Sequence, residues 1–329
     1  MTTAKKTALI TGITGQDGSY LGRLLLRKEY RVIGVCRTTD PSATAGLRYL
    51  GIEDQIDFRI ADLADAKSVT DLLESAAPDE VYNLAAASSV ASSFTDPRRV
   101  FEFNSLSVLN LLEAIRTIRP AVKFYQASSS EMYAGTAARP ITRDSRLGPL
   151  SPYGCSKAAA HLLTGMYRNC YSTFAVGGIL FNHESVLRPE TFFVKKVIRS
   201  ALRIRSGTQD YITLGNLDVR RDIGLAEHYV QAMWLMLQQP TPQDHVVCSG
   251  VSVSLREIVD RVIQRLGLDD DVVRIQRDYF RPTDAADIYG DPGPARADLG
   301  WSYNLAPLDA VDRLIDEEVA VNAEAADPA

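Results

Sequence analysis

A short apolar run, a glycine-spaced turn and a helical pattern follow one another at the start of the chain, and few folds accept that order. Thr7-Ala8-Leu9-Ile10-Thr11 is continuously apolar, which suits a strand buried on both faces of a parallel sheet. Gly12-Ile13-Thr14-Gly15-Gln16-Asp17-Gly18 comes next, and Tyr20 to Leu26 then carries a helical pattern. Gly-x-x-Gly-x-x-Gly between strand and helix puts small residues where backbone must approach a pyrophosphate, with the helix N-terminus turned to the anion. Gly12, Thr14, Gly15, Gln16, Asp17 and Gly18 are therefore candidate dinucleotide-binding residues.

Strand and helix patterns continue to alternate through residue 180, which predicts an α/β doubly wound parallel (Rossmann) sheet. Arg31 to Arg37 reads as the second strand. An acidic residue at its end would suit the free ribose of NAD, whereas Arg37 suits the 2′-phosphate of NADP. Asp57 to Leu63 reads as the third strand, bringing Asp62 and Leu63 near the adenine, and a helix follows over Ser68 to Ala76. Glu80 to Ala86 is a fourth strand ending in Leu84, Ala85 and Ala86, small enough for phosphates and ribose to pass close. A helix from Phe103 to Arg116 leads to a fifth strand, Lys123 to Ala127, and Pro152 to Tyr171 forms the next helix. Phe174 to Phe181 is the sixth strand, and Val246 to Gly250 is one more. Residues 1–183, with a returning segment at about 216–254, are expected to form the NAD(P)-binding domain. About 184–215 and 255–329 are irregular and are expected to form a smaller, mixed α/β C-terminal substrate domain. The Ala/Asp-rich stretch from Val321 to Ala329 is expected to fray.

The chemistry concentrates where the fifth strand ends and the following helix begins. Tyr153 and Lys157, four residues apart just inside a helix start, lie on one helix face. An ammonium near a phenol favours the phenolate, so the pair forms a general acid/base able to take a proton from an alcohol. The fifth strand delivers Ser128-Ser129-Ser130-Glu131 to the crevice at the strand ends, where ligands sit in open α/β sheets. A carboxylate beside a Tyr/Lys pair supplies a second proton-transfer group whose environment separates its pKa from the first.

Composition excludes several alternatives. A net charge of -5 over 329 residues offers no basic field for nucleic acid. No apolar run approaches the roughly 20 residues that span a bilayer, and the N-terminus has no signal-peptide architecture. Cys36, Cys155, Cys170 and Cys248 are scattered without metal-ligand spacing, as are the four histidines. Buried thiols in a reducing cytoplasm, and no metal site, are expected.

These residues together resemble the extended short-chain dehydrogenases/reductases that act on nucleotide sugars, and most closely the GDP-mannose 4,6-dehydratase family. The resemblance covers nearly the whole chain. Its most specific stretches are Gly12 to Leu21, Ser130-Glu131-Met132-Tyr133, Ile179 to Ser185 with its Asn-His-Glu-Ser run, Leu214-Gly215-Asn216, Arg220-Arg221-Asp222 and Phe280-Arg281-Pro282. It implies a redox-neutral dehydration of a GDP-hexose with bound NADP, or NAD as the less favoured cofactor. Tyr153, helped by Lys157, would take the 4-hydroxyl proton, and Ser129 would hydrogen-bond that oxygen. Glu131 would remove the carbon 5 proton and help expel the 6-hydroxyl. It further implies a substrate site made of Ser88, Asn182, Glu184, Arg188, Lys196, Leu214, Gly215, Asn216, Arg221, Arg281 and Asp284. Of these, Asn182, Arg221 and Arg281 face the diphosphate or its ribose, where a guanidinium fork matches phosphate oxygens. A homodimer through the long helices, with a tetramer as the other arrangement, is implied as well. A nucleotide-sugar 4-reductase or epimerase of the same superfamily is the alternative activity. Four positions depart from the family pattern. Ser129 stands for threonine, Ala87 for glutamine and Asp284 for glutamate, and only Arg37 remains of a pair of arginines.

Overall fold

The computed structural model describes residues 5–326. Seven parallel strands form the central sheet: β1 (Thr7–Thr11), β2 (Arg31–Cys36), β3 (Asp57–Ile60), β4 (Glu80–Asn83), β5 (Lys123–Ser129), β6 (Ala175–Leu180) and, after three intervening short strands, β10 (His245–Val247). Those three are β7 (Asn182–Glu184), β8 (Ile212–Leu214) and β9 (Arg220–Leu225). The order β10-β6-β5-β4-β1-β2-β3 places the reversal of winding between β1 and β4. That reversal is the topological switch point of the doubly wound fold. The helices are α1 (Gln16–Arg27), α2 (Ala45–Tyr49), α3 (Ala66–Ala76), α4 (Val90–Thr95), α5 (Pro97–Ile118), α6 (Pro152–Tyr171), α7 (Phe193–Arg205), α8 (Ala226–Gln238), α9 (Leu255–Leu266), α10 (Gly293–Leu299) and α11 (Pro307–Ala326).

Both faces of the sheet are buried, as the continuous apolar strands require. Along β1, Ala8 and Ile10 pack toward Leu21 and Leu25 of α1 and Tyr229, Met233 and Leu237 of α8. Leu9 points the other way, into a cluster with Val69 and Leu73 of α3, Leu111 and Ile115 of α5 and Tyr167 of α6. A smaller sheet centres on β9, which pairs with β7, with β11 (Ser252–Ser254) and with β13 (Asp287–Ile288), while β8 pairs with β12 (Val273–Ile275). Within 216–254, β9 and β11 thus join the smaller sheet, and α8 and β10 join the large one. Asp222, fully buried in β9, ties the two together. Its carboxylate accepts from Ser249 N (2.8 Å), Ser249 Oγ (2.7 Å), Gly250 N (2.9 Å) and Gly290 N (3.4 Å).

Several elements differ from the sequence expectation. β3 stops at Ile60 and β4 at Asn83, because the residues beyond them turn away as loops at the sheet's carboxyl edge. α7 and α8 occupy stretches with no clear expected pattern. α8 is buried on several sides, at Tyr229, Val230, Ala232, Met233, Met236 and Leu237, so its period is masked. The stretch expected to fray is helical as far as Ala326, and 327–329 lie outside the described residues. Cys36 and Cys248 are buried as expected, but Cys155 and Cys170 are exposed on α6. Among the described residues no helix is long and apolar enough to cross a membrane.

Removing the fully buried Asp222 carboxylate would leave the backbone N–H groups of Ser249, Gly250 and the buried Gly290 without their acceptor. Asp222→Ala is expected to cost about 3 kcal/mol. A thermal unfolding midpoint equal to that of the wild type would contradict this account.

Candidate active site

The β1–α1 turn is shaped by contact with its own neighbours. Gly12 sits at φ +69°, and a Cβ there would lie 3.0 Å from Ala85 Cα. A Cβ at Gly18 would lie 2.2 Å from Gly12 O, so a side chain is excluded by backbone. Gly15 caps α1 without any side-chain acceptor, which leaves the first-turn N–H groups to an outside anion. The strand ends beside it are held by a polar ladder. Thr11 Oγ1 donates to Asn83 Oδ1 (2.6 Å) and accepts from Leu84 N and Ala85 N (both 3.1 Å). Asn83 Nδ2 then donates to Gln126 Oε1 (2.8 Å). The Leu84-Ala85-Ala86 segment is thereby drawn against Gly12. These features fit a dinucleotide laid across the switch point, with a phosphate at the start of α1.

Arg37 is exposed just past β2, with no hydrogen-bond or ion-pair partner recorded among the described residues, and Asp62 is exposed just past β3. Leu63 is buried, and its carbonyl accepts from Asn110 Nδ2. Thr14 is half-buried in the turn, and Gln16 is buried.

A cleft of about 350 Å³ opens between these strand ends and the smaller sheet. It gathers Ser129, Glu131, Tyr153 and Lys157 with every expected substrate position: Ser88, Asn182, Glu184, Arg188, Lys196, Leu214, Gly215, Asn216, Arg221, Arg281 and Asp284. Asp17, Leu84 and Ala86 line it too, whereas Gly12, Thr14, Gly15, Gln16, Gly18, Arg37, Asp62, Leu63 and Ala85 lie outside its lining.

Ser151 caps α6 through Gly154 N (3.0 Å), with Pro152 at the first helical position, which sets Tyr153 in the first turn. Lys157, one turn on, donates from Nζ to Ala127 O at 2.8 Å and lies 5.8 Å from the Tyr153 ring centroid. The expected lowering of the phenol pKa is absent from this arrangement. Burial pushes Tyr153 up to about 12, a hydrogen bond with Ser129 acts against that rise, and the Glu131 charge adds to it. Burial also takes Lys157 down from 10.5 to about 8. Glu131 is the second residue of a short 3-10 turn, Ser130–Tyr133, where its backbone N–H donates to Ser129 Oγ (3.2 Å). Burial raises the Glu131 pKa, and Arg281 and Arg221 work against the rise.

The cations divide into two kinds. Arg221 is buried and held by three partners, donating to Arg220 O (2.7 Å), Ala285 O (2.9 Å) and the Asp284 carboxylate. Arg281 makes only long contacts, 3.5 Å to Asp284 and 3.8 Å to Glu131. Lys196 donates to Thr213 O (2.7 Å) and sits over the Tyr279 ring. Arg188 stacks on Phe192, 3.6 Å from the ring centroid, and stands 3.6 Å from the buried Glu184. Asn216 accepts from Asp218 N, closing the loop that follows β8.

His183, inside the Asn-His-Glu-Ser run but given no role of its own in the sequence, and two residues not singled out there, Asn104 and His161, also shape this site. His183 Nδ1 faces Phe181 O (2.7 Å), and Nε2 faces the Asp17 carboxylate (2.9 Å). Both partners are acceptors, so the ring carries both protons. Burial opposes that charge, but Asp17 outweighs it and the His183 pKa is raised. Burial would raise Asp17, yet the His183 charge and hydrogen bonds hold it down to about 2. Asn104 on α5 donates to Ser156 Oγ (2.9 Å), accepts from Ala87 N (2.9 Å), and so pins the loop after β4 to α6. His161 meets Ser128 Oγ at 2.9 Å behind the site. The signals were polar residues on otherwise buried faces: Asn104 between Val100 and Val108, and His161 one turn beyond Lys157.

Comparison with known proteins agrees with this geometry. The family described as GDP-mannose 4,6 dehydratase matches residues 9–313. "GDP-mannose 4,6 dehydratase 1" of Arabidopsis thaliana is 41% identical over 326 residues, covering 96% of this chain and 90% of that protein. Among solved structures, a dTDP-glucose 4,6-dehydratase from Streptomyces venezuelae with NAD bound superposes with a TM-score of 0.86 at 21% identity, covering 96% and 98% of the two chains. RMD from Pseudomonas aeruginosa, complexed with NADPH, superposes at 0.77 with 22% identity, covering 97% and 100%. The fold and the Ser-Tyr-Lys cleft define an extended short-chain dehydrogenase/reductase. Within that class, the chain belongs to the GDP-mannose 4,6-dehydratase family.

Burial penalises the protonated lysine, so the penalty of Lys157 is full below about 8 and fades toward its unfolded value of 10.5. In that window the unfolded chain binds more protons and stability rises with pH. Lys157→Met is therefore expected to abolish turnover yet stabilise the fold at pH 7 by on the order of 2 kcal/mol, after the lost bond to Ala127 O. Calorimetric melting should show this gain shrinking between pH 8 and 10.5; a variant destabilised at pH 7 would refute it.

Proposed function

We propose that this protein is a hydro-lyase that converts GDP-mannose to the GDP-linked 4-keto-6-deoxy sugar. The observation that carries the reading is Glu131 sharing one cleft with Ser129, Tyr153 and Lys157. A reductase or epimerase acting at carbon 4 needs the last three groups; only removal of a carbon 5 proton calls for a carboxylate beside them. A nicotinamide dinucleotide held at the Gly12, Gly15 and Gly18 turn would supply a hydride acceptor for carbon 4 and the donor for carbon 6. Tyr153 takes the proton of the 4-hydroxyl as the carbonyl forms, and Ser129 holds the same oxygen. The new carbonyl acidifies the neighbouring C–H. Glu131 takes that proton and passes it to the 6-hydroxyl, which leaves as water. Tyr153 gives its proton back at carbon 5, so the protein ends as it began.

Arg37 supports NADP as the cofactor, because an unpartnered guanidinium past β2 matches a ribose 2′-phosphate. Exposed apolar side chains on α5 and α6 support a homodimer through those helices: Phe101 and Leu106 on one, Leu162, Met166 and Tyr171 on the other.

Incubation with GDP-mannose is expected to give a product lighter by one water, with no net change in nicotinamide absorbance. Glu131→Gln is expected to lower that yield by about 100-fold or more. Stoichiometric oxidation or reduction of added cofactor, or full turnover by Glu131→Gln, would replace dehydration with a simple oxidoreductase. Cofactor extracted from the purified protein should carry the 2′-phosphate by mass; NAD in its place overturns the NADP reading. In sedimentation the protein should run as a dimer that Leu162→Asp converts to monomer, and a wild-type monomer would refute that interface.

A further inference from the structure

The charges of Arg281 and Arg221 both act on Glu131, yet only Arg281 is loosely held. Arg221 is spoken for by two carbonyls and the Asp284 carboxylate, all within β9 and the 284–285 segment. Arg281 reaches both Glu131 (3.8 Å) and Asp284 (3.5 Å) through the same terminal nitrogen, Nη1. Nε and Nη2 have no hydrogen-bond partner among the described residues. Its side chain is 34% exposed, on the cleft rim. A guanidinium in loose contact with two carboxylates, with most of its donors unused, will turn to a better acceptor when one arrives. A diphosphate offers a guanidinium fork several anionic oxygens for bidentate hydrogen bonds, which Glu131 at ion-pair distance does not provide.

We propose that Arg281 is a positioning residue that holds the Glu131 carboxylate in check in the empty cleft and is drawn off it by the substrate's diphosphate, so that the base is freed only once the substrate is in place. The inference rests on the proposed dehydration for the role of Glu131, but its contacts do not. The charged and titratable groups facing Glu131 are Arg281 and Asp284 from the 281–284 loop, Arg221 from β9 and Tyr153 from α6. Arg221 is fixed and Asp284 is held by it, so Arg281 is the one whose displacement changes the field at Glu131. A cation within about 4–6 Å of a carboxylate lowers its pKa by about one unit or more, so its departure returns at least that much basicity. Burial already pushes Glu131 upward, and losing Arg281 lets that push act unopposed. Coupling base strength to diphosphate binding keeps the carboxylate ionised while the cleft waits and makes it a stronger base with the sugar bound.

The test is a carbon-13 titration of the Glu131 carboxyl, assigned by its loss in Glu131→Gln, using GDP as the probe. In the free protein, Arg281→Gln is expected to raise the midpoint by about one pH unit, and Arg281→Lys, which restores the charge, to bring it back toward wild type. Saturating GDP, followed by calorimetry, is expected to raise the wild-type midpoint and to move that of Arg281→Gln much less. Equal midpoints in free wild type and Arg281→Gln would overturn the proposal, as would equal GDP-induced shifts in the two. Kinetics give a second reading: in wild type the acid limb of kcat should lie at higher pH than that of kcat/KM, and in Arg281→Gln the two limbs should meet. Limbs that stay apart in Arg281→Gln count against it. The titration needs no turnover, so failure of the dehydration assay and failure of this inference are read separately.

Discussion

The ion pair between Asp17 and His183 joins two parts of the chain 166 residues apart, and both residues line the cleft. Asp17 stands in the first turn of α1, where the helix favours an anion. His183 stands in β7, the strand that carries the chain from the large sheet into the small one. Around the pair, Gln16 donates to His183 O (3.1 Å) and accepts from Ser185 Oγ (2.9 Å). The imidazolium stacks on Tyr229 at 4.8 Å between ring centroids. A buried charge pair is tolerated only when hydrogen bonds satisfy both members, and here every polar atom of the imidazole has a partner. The cofactor turn and the substrate-side strand therefore cannot drift apart without leaving a charge alone in a dry interior.

That constraint explains why polar residues crowd the carboxyl edge of an otherwise apolar sheet. Thr11, Asn83 and Gln126 form a continuous ladder across β1, β4 and β5, and each spends its polar atoms on a neighbour. Asn104 and Ser156 extend it to α6. Behind β5, Ser128 meets His161, and Arg168 pairs with Asp244 through two 2.7 Å contacts. Satisfied networks of this kind hold side chains to one geometry more firmly than apolar packing does. The ends of β4 and β5, which present Leu84 to Ala86 and Ser129 to Glu131, are thus fixed from both sides of the sheet.

Much of this was legible in the sequence, for reasons that differ by element. β1, α1 and α6 were readable because local signals coincide with tertiary ones: an apolar run, a glycine turn, and Tyr153 and Lys157 spaced four apart just inside a helix start. The membership of the cleft was readable through Asn-His-Glu-Ser and Phe-Arg-Pro, of which Asn182, His183, Glu184 and Arg281 line it. The pKa order was not. Spacing places Lys157 on the same helix face as Tyr153, but it is silent on Nζ turning to Ala127 O and on the depth of burial that sends the phenol upward. Nor could spacing separate Arg221 from Arg281. The difference between an arginine built into the frame and one left loose lies in carbonyls of residues 220 and 285 that no pattern announces.

The direction of these shifts suits the proposed reaction rather than opposing it. Proton transfer is efficient when the partners' affinities lie near each other. A sugar hydroxyl holds its proton more tightly than an ordinary phenol does, so a tyrosine raised to about 12 becomes, once ionised, a base closer to its task. The ionised form is rarer for the same reason, and the hydrogen bond with Ser129 works against that rise. Dehydration also returns every proton it takes: one passes from O4 to Tyr153 and back to carbon 5, the other from carbon 5 to Glu131 and out with the leaving oxygen. Chemistry of that kind needs no relay to solvent, and a cleft that buries Tyr153 and leaves the Glu131 side chain only 18% exposed serves it.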